Sequence, residues 1–204
     1  MELYDTEEQQ IERIKELWNE YGKVIVASAV IGLGGLFGWN QYQDSVIATQ
    51  EATSDSYVAV IEELADKGVS AANDVQTFID DNQKTQYSVL AALQLAKLQV
   101  EAGNLDEALA QLEWAKSATQ DTAISAVILH RLARLKLEQG NYDAALADLN
   151  LVKDQGWAGR VAELKGDIFL RQGNTEAAYT TYTEAQQDGD ASQTLQMKLD
   201  DLAQ

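Results

Sequence analysis

The sequence has no cysteine and no proline, and His130 is the one histidine among its 204 residues. Without cysteine the chain can form no disulfide and offers no thiolate to a metal ion, and a single histidine is too few for a multi-histidine centre. Without proline every segment is compatible with an α-helix, and alanine, leucine, glutamine and glutamate, which favour helices, are abundant. We therefore expect an all-α protein that binds no metal and no other cofactor.

Basic residues are also few, 15 against 33 acidic residues, which gives a formal net charge of −18. So large an acidic excess repels the phosphates of nucleic acids and the headgroups of anionic lipids, which argues against both as partners. It suits a domain that must avoid nonspecific contacts, or one that meets basic or unfolded chains.

Charged residues are missing from one stretch of the sequence, residues 24–43, which reads VIVASAVIGLGGLFGWNQYQ. A helix of this length reaches about 30 Å at about 1.5 Å per residue, the thickness of the hydrocarbon core of a bilayer. Aromatic residues, typical of membrane interfaces, occur at both of its ends: Trp18 and Tyr21 lie just before the stretch, and Trp39 and Tyr42 lie in its last five residues. We predict a transmembrane helix at 23–43; the alternative is a buried helix in a soluble bundle.

The basic residues around this span predict its orientation. Three of them precede the span, and after it no basic residue occurs until Lys67. Because positive charge is retained in the cytoplasm, we predict a cytoplasmic arm at 1–22 and an exported domain at 44–204. A cleaved signal peptide fits poorly, since the chain begins with acidic residues and no small-x-small cleavage site follows the span.

The N-terminal arm has the pattern of a short amphipathic helix. Thr6 and Gln9 form a capping-box pair near its start, and Gly22 is predicted to end it. The arm is either a cytoplasmic extension of the membrane helix, which we favour, or a docking helix for a cytoplasmic partner.

Small residues recur four positions apart within the predicted span, at Ser28 and Gly32 and again at Gly34 and Gly38. Such residues let two helices approach closely in lipid, where hydrophobicity gives no driving force for association. We predict that they pack against another transmembrane helix; the pattern does not identify that helix.

A ten-residue pattern occurs three times in the second half of the chain. Its copies are GNLDEALAQL from Gly103, GNYDAALADL from Gly140 and GNTEAAYTTY from Gly173, 37 and 33 residues apart. Each copy follows an amphipathic segment, and helix–turn–helix units with a period near 34 residues are typical of tetratricopeptide repeats. Glycine supplies the left-handed residue that ends the first helix.

The second helix of each unit carries an alanine that is expected to lie close to a small residue of the first helix. These alanines are Ala108, Ala145 and Ala178, and the small residues opposite them are Ala96, Ala133 and Gly166. A degenerate pair at 45–81 and a last helix at 191–202 are predicted to cap the stack. The predicted fold is an N-terminal single transmembrane helix followed by a tetratricopeptide-repeat-like α-solenoid.

The sequence contains no catalytic constellation. His130 has no cysteine to activate, no P-loop occurs, and the adjacent aspartates Asp80–Asp81 and Asp200–Asp201 lie at predicted solvated helix ends. We therefore expect a non-enzymatic protein that acts by binding.

The first helices of the repeats are predicted to line a concave face, the usual recognition surface of a solenoid. Helical projection places these residues there: Leu90, Leu93, Lys97, His130, Arg134, Arg160, Asp167 and Arg171. The basic members form a candidate partner-binding cluster: Lys97, His130, Arg134, Arg160 and Arg171. Such a cluster would favour an acidic segment or a chain terminus of a partner; alternatively, the basic residues only balance nearby carboxylates.

Four segments of the sequence together resemble one known family. They are MELYDTEEQQIERIK, GLFGW, DQGWAGRVAELKGDIFLRQGN and LQMKLDDL. The family is YfgM, ancillary subunits of the SecYEG translocon in Gram-negative bacteria, and the resemblance extends over nearly the whole chain.

This resemblance implies an inner-membrane protein with its N-terminus inside the cell. It implies that a periplasmic tetratricopeptide-like domain works with the SecYEG translocon and the membrane-anchored chaperone PpiD, and passes newly translocated proteins to periplasmic chaperones. It also implies a link between the cytoplasmic arm and the response regulator RcsB, and it supplies no catalytic residue. The alternative is a tetratricopeptide scaffold for another envelope-assembly complex, which the same anchor and repeats would serve.

Overall fold

The computed structural model describes residues 7–189 and 192–202 of the chain. These residues form nine α-helices and two short 3₁₀ turns: α1 (Glu7–Lys67), a 3₁₀ turn (Gly68–Ala71), α2 (Ala72–Asp81), α3 (Gln86–Glu101), α4 (Leu105–Ala118), α5 (Thr122–Glu138), α6 (Tyr142–Asn150), a 3₁₀ turn (Gln155–Trp157), α7 (Ala158–Arg171), α8 (Thr175–Gln187) and α9 (Leu195–Leu202). The chain divides into two compact units, Met1–Ala52 and Thr53–Gln204.

Helix α1 provides all the described structure of the first unit. The prediction that Gly22 ends a separate arm helix is wrong, because α1 continues through it. The indole of Trp18 explains this: a Cβ built on Gly22 would lie 3.2 Å from its Cδ2 atom, so the ring covers the backbone at a residue of low helix propensity. The favoured alternative, an arm that continues into the apolar span, agrees with the structure. Thr6 lies outside the described residues.

The apolar stretch of α1 presents its side chains outward. Ile31 and Phe37 are 75% and 73% exposed, and within the described part of the chain α1 is the one helix long and apolar enough to cross a membrane. A soluble bundle would bury such side chains, so their exposure favours a membrane span over a core helix. The limits 1–22, 23–43 and 44–204 stay predictions, since one helix runs past both ends of the span.

The second unit contains the three helical hairpins, α3–α4, α5–α6 and α7–α8. Each hairpin turns at a left-handed glycine: Gly103, Gly140 and Gly173 have φ values of +81°, +77° and +79°. The amide of the following asparagine then donates to a carbonyl five residues earlier, as from Asn104 to Gln99 at 2.8 Å. This is the Schellman pattern, which satisfies the last carbonyls of a helix.

Small residues bring the two helices of each hairpin together. The three alanines of the second helices are fully buried: Ala108, Ala145 and Ala178. In the third hairpin Gly166 marks a closer approach, because a Cβ at this position would lie 2.4 Å from Cδ1 of Tyr182. The buried Tyr182 ring thus fills the space that Leu112 and Leu149 fill in the first two hairpins.

Further helices cover both ends of the hairpin stack. Leu64 of α1 and Ile79 of α2 are buried in the same core cluster as α3. At the other end α9 buries Leu195 and Leu199 beside α8. The last helix begins at Leu195, whereas its predicted start, Ala191, lies outside the described residues.

A buried charge cluster links the first two hairpins. The Asp148 carboxylate of α6, whose side chain is 4% exposed, lies 2.6 Å from both Lys116 of α4 and Lys136 of α5. Lys136 also lies 2.6 Å from Glu113. Burial alone would lower the pKa of Lys136, but its hydrogen bonds to Asp148 and Glu113 outweigh burial and raise it. The ion pairs therefore fix how α4, α5 and α6 pack.

Candidate partner-binding groove

A groove of about 670 Å³ lies in the second unit, between α5, α7 and the segment that leads into α9. Its charged lining residues are the cations Arg134, Arg160, Arg171 and Lys198 and the carboxylates Glu138, Glu163 and Asp167. We call it the arginine groove. It has one more positive than negative charge, although the chain as a whole carries −18.

Two carboxylates of the groove are held by residues of the C-terminal segment. Lys198 Nζ lies 2.8 Å from Glu163 Oε1 and 2.7 Å from Asp167 Oδ1. Ser192 donates to Glu163 from its amide at 2.8 Å and from its hydroxyl at 2.6 Å, and the Tyr182 hydroxyl donates to Asp167 at 2.6 Å. Burial alone would raise the pKa of Glu163, but the hydrogen bonds from Lys198 and Ser192 keep it below its ordinary value. These contacts hold α9 against α7.

Trp157 lies beside the groove, in contact with two of its lining residues. The rings of Trp157 and His130 lie 5.4 Å apart, and the Arg160 guanidinium lies 4.9 Å from the centre of the same indole. Burial lowers the pKa of His130 to about 4, and the charges of Arg134 and Arg160 act in the same direction. His130 is therefore neutral at pH 7, so arginine alone supplies the positive charge on this side.

The remaining arginines are weakly held. Arg171 lies 3.9 Å from Glu138, and both side chains are more than half exposed, a geometry that contributes little energy. Arg134 is exposed and has no ion-pair partner among the residues that the structure describes. Its charge is therefore available to a ligand.

A second groove of about 550 Å³ lies beside the first, between α3, α4 and α5. Its apolar lining residues are Ala96, Val100, Leu105, Leu112 and Leu135. We call it the apolar groove. It shares Arg134 and Glu138 with the arginine groove, so the two are contiguous.

The structure brings four of the five predicted basic residues into the arginine groove and places Lys97 in the apolar groove, 3.7 Å from Glu101. Leu93, expected on the recognition face, is instead buried in the core that α3 shares with α5, since burial removes its apolar surface from water.

In the first unit the four predicted packing residues of the span are exposed, and no neighbouring atom lies within 4 Å of a Cβ built on Gly32, Gly34 or Gly38. The binding and packing roles of these residues stay predictions.

Glu163 and Lys198 line the arginine groove but were not predicted from the sequence. The spacing of Glu163, four positions before Asp167, puts both on one face of α7 and could have identified it. Lys198 reaches the groove through the packing of α9, which no periodicity reveals. Within the described residues, no group of three histidine or carboxylate side chains is arranged to hold a metal ion.

Comparison with known proteins identifies the family. The tetratricopeptide repeat-like domain family matches residues 15–204. A protein of Aggregatibacter actinomycetemcomitans named ancillary SecYEG translocon subunit is 36% identical to this chain, and the match covers 96% of this chain and 97% of that protein. The chain belongs to the family of ancillary SecYEG translocon subunits.

Other ancillary SecYEG translocon subunits are also similar to this chain over nearly its whole length. The one from Haemophilus influenzae is 33% identical over 96% of this chain, and the one from Escherichia coli K12 is 31% identical over the full length of both chains. The crystal structure of a tetratricopeptide repeat protein from Parabacteroides merdae superposes with a TM-score of 0.58 at 22% identity, covering 73% of this chain and 60% of that one. The predicted family and fold class are confirmed.

Proposed function

We propose that this chain is a single-pass inner-membrane protein that associates with the SecYEG translocon and carries its α-solenoid in the periplasm. One observation carries the proposal: nearly the whole chain, anchor and repeats together, is similar to proteins named ancillary SecYEG translocon subunit. The single apolar helix supports the membrane location.

In this proposal the solenoid is a non-enzymatic binding domain. Together with PpiD it helps to pass newly translocated proteins to periplasmic chaperones. A membrane tether raises the effective concentration of weak binding sites near the channel exit, so tight contacts are unnecessary. The net charge of −18 would keep a domain that meets unfolded chains from aggregating with them.

Photo-crosslinkers placed at Gly34 and Arg134 in living cells test this proposal. We expect adducts with translocon subunits at Gly34 and with PpiD or translocated clients at Arg134. A crosslinker at Lys84, which lines neither groove, is the control. Adducts only with enzymes of cell-wall or outer-membrane assembly would support the alternative, a scaffold for another envelope complex.

The proposed orientation has the N-terminus in the cytoplasm. It is supported by Arg13, Lys15 and Lys23, which precede the span. Alkaline phosphatase fused after Gln204 should be active, since this enzyme needs the oxidising periplasm to form its disulfides. An inactive fusion, with a cytoplasmic reporter active at the same position, would contradict the orientation.

The cytoplasmic arm, residues 1–22, is proposed to modulate RcsB. The support for this part is the family resemblance. Replacing residues 2–10 by a neutral sequence leaves all basic residues of the arm in place, and it should alter RcsB-dependent transcription without changing co-purification with the translocon. Unaltered transcription would remove this role and leave the translocon role standing.

A further inference from the structure

We propose that the arginine groove and the apolar groove together bind one segment of a partner protein, in which a run of apolar side chains adjoins a run of carboxylates. The inference deepens the proposed function, on which it rests for a protein partner, by naming the chemistry that the solenoid recognises. Its basis is the position of the two grooves side by side on α3, α5 and α7.

Charge complementarity determines the acidic part of the ligand. A carboxylate-rich segment is repelled by most of a chain that carries −18, whereas the arginine groove has an excess of positive charge. The carboxylates of Glu163 and Asp167 already accept hydrogen bonds from Lys198, Ser192 and Tyr182. An incoming carboxylate therefore meets the guanidinium groups, whose planar fork matches carboxylate geometry.

The apolar groove determines the other part of the ligand. Its volume lies in the range of about 300–1,000 Å³ that is typical of binding pockets, and Val100 at its edge is 44% exposed. Covering this surface with leucine-like side chains would remove apolar area from water on both partners. Arg134 borders both grooves, so the bound segment would have its apolar residues toward α3 and its carboxylates toward α7.

The proposal is tested with the full chain in mild detergent and a fluorescein-labelled peptide in which a run of leucines precedes a run of glutamates. We expect anisotropy to show saturable binding that weakens as salt rises. A peptide with glutamine in place of glutamate tests the arginine groove, and one with serine in place of leucine tests the apolar groove. Both should bind at least about tenfold more weakly, because each loses one half of the contact.

Charge-reversal variants of the protein test the arginine groove, and one reversal outside both grooves is the matched control. Arg134→Glu should raise the Kd about tenfold, since attraction becomes repulsion, and Arg171→Glu should act in the same direction. Lys84→Glu changes the net charge equally but lies outside both grooves, so its effect should stay below about twofold. All three side chains are exposed, and a thermal melt verifies that each variant is folded.

Three results would overturn the inference: no binding of the acidic peptide, equal binding of the glutamine peptide, or equal effects of Arg134→Glu and Lys84→Glu. A change of oligomeric mass in light scattering on Arg134→Glu would show that a second copy of the chain covers the grooves, which also contradicts it. If the peptide does not bind but the chain still co-purifies with the translocon, the groove assignment is wrong and the proposed function stands. If the chain does not co-purify with the translocon, the proposed function is wrong, and the peptide experiment still tests the groove assignment.

Discussion

Gly140 ends α5 in a left-handed conformation that residues with a side chain rarely adopt, with φ of +77°. A Cβ built at this position would meet no neighbouring atom within 4 Å. Glycine is therefore required by the backbone conformation and not by a lack of space. Gly140→Ala should lower the free energy of unfolding by about 1–2 kcal/mol, as measured by urea denaturation. Gly189→Ala, at an exposed glycine without a positive φ, should change it by less than about 0.5 kcal/mol. Equal changes would contradict this account.

His130 should make stability depend on pH in a specific window. Its pKa is about 4 in the folded protein and about 6.5 in the unfolded chain. Between these values the unfolded chain binds a proton that the folded protein does not, so the free energy of unfolding falls as the pH decreases from about 6.5 to about 4. The variant His130→Gln should lack this part of the pH dependence.

The pKa of His130 can also be measured directly. It is the one histidine of the sequence, so the imidazole resonances of chain purified without a histidine tag report it alone. An NMR titration midpoint near 6.5 would show that the ring is not held between Trp157 and the arginines as the structure has it.

Helix α9 depends on a few polar contacts of one lysine. Lys198 bridges Glu163 and Asp167, and its ammonium lies 5.5 Å from the centre of the Tyr182 ring. Lys198→Met leaves the buried Glu163 without its counter-ion, which should cost about 2 kcal/mol or more. Hydrogen exchange should accelerate in Leu195–Leu202 much more than in α3.

The exposed Lys153 in the loop after α6 provides the comparison for this experiment. Lys153→Met removes an equal charge without touching α9, so the exchange of α9 should stay unchanged. Similar protection of α9 in both variants would mean that the apolar contacts of Leu195 and Leu199 hold the helix without the lysine.

The hairpins were predictable from the sequence because a local rule fixes them. Each Gly-Asn pair ends one helix through backbone geometry alone, and Ala108, Ala145 and Ala178 identify the close contacts that follow. The continuous α1 was misjudged at Gly22, since glycine is usually read as a helix end and the cover provided by Trp18 is a contact of the folded helix. The burial of Leu93 likewise depends on how α5 packs, which the sequence of α3 does not contain.

The arginine groove was predictable only in part for the same reason. Helical projection identifies the face of α5 that carries Arg134 and the face of α7 that carries Arg160 and Arg171. The charge that the groove offers to a ligand also depends on which of its carboxylates are already paired. Lys198, on the later helix α9, pairs with both Glu163 and Asp167. The net charge of the whole chain is −18, opposite in sign to the charge of the groove, so it could not predict the groove.

At the scale of the whole molecule, the glycines of α1 are predicted to pack against another transmembrane helix. The paired substitutions Gly34→Leu and Gly38→Leu should weaken any complex that needs close helix contact, because bulky side chains keep two backbones apart. Co-purification in mild detergent, quantified by mass spectrometry, measures the loss. The control pair Val26→Leu and Val30→Leu keeps the same spacing at positions that are already bulky.

Membrane insertion itself should survive both pairs of substitutions, since leucine is more apolar than the residues it replaces. Alkaline carbonate extraction should leave every variant in the pellet. Unchanged co-purification of the glycine variant would reject the proposed packing surface while leaving the membrane span in place.

The position of Trp157 gives the protein an internal fluorophore at the edge of the arginine groove. Its indole contacts both the imidazole of His130 and the guanidinium of Arg160, so a ligand that draws Arg160 away changes the surroundings of the ring. Like the other tryptophans, Trp18, Trp39 and Trp114, it lines neither groove itself, but it contacts two residues that line the arginine groove. With phenylalanine at those three positions, the emission spectrum would report occupancy in an otherwise unlabelled chain.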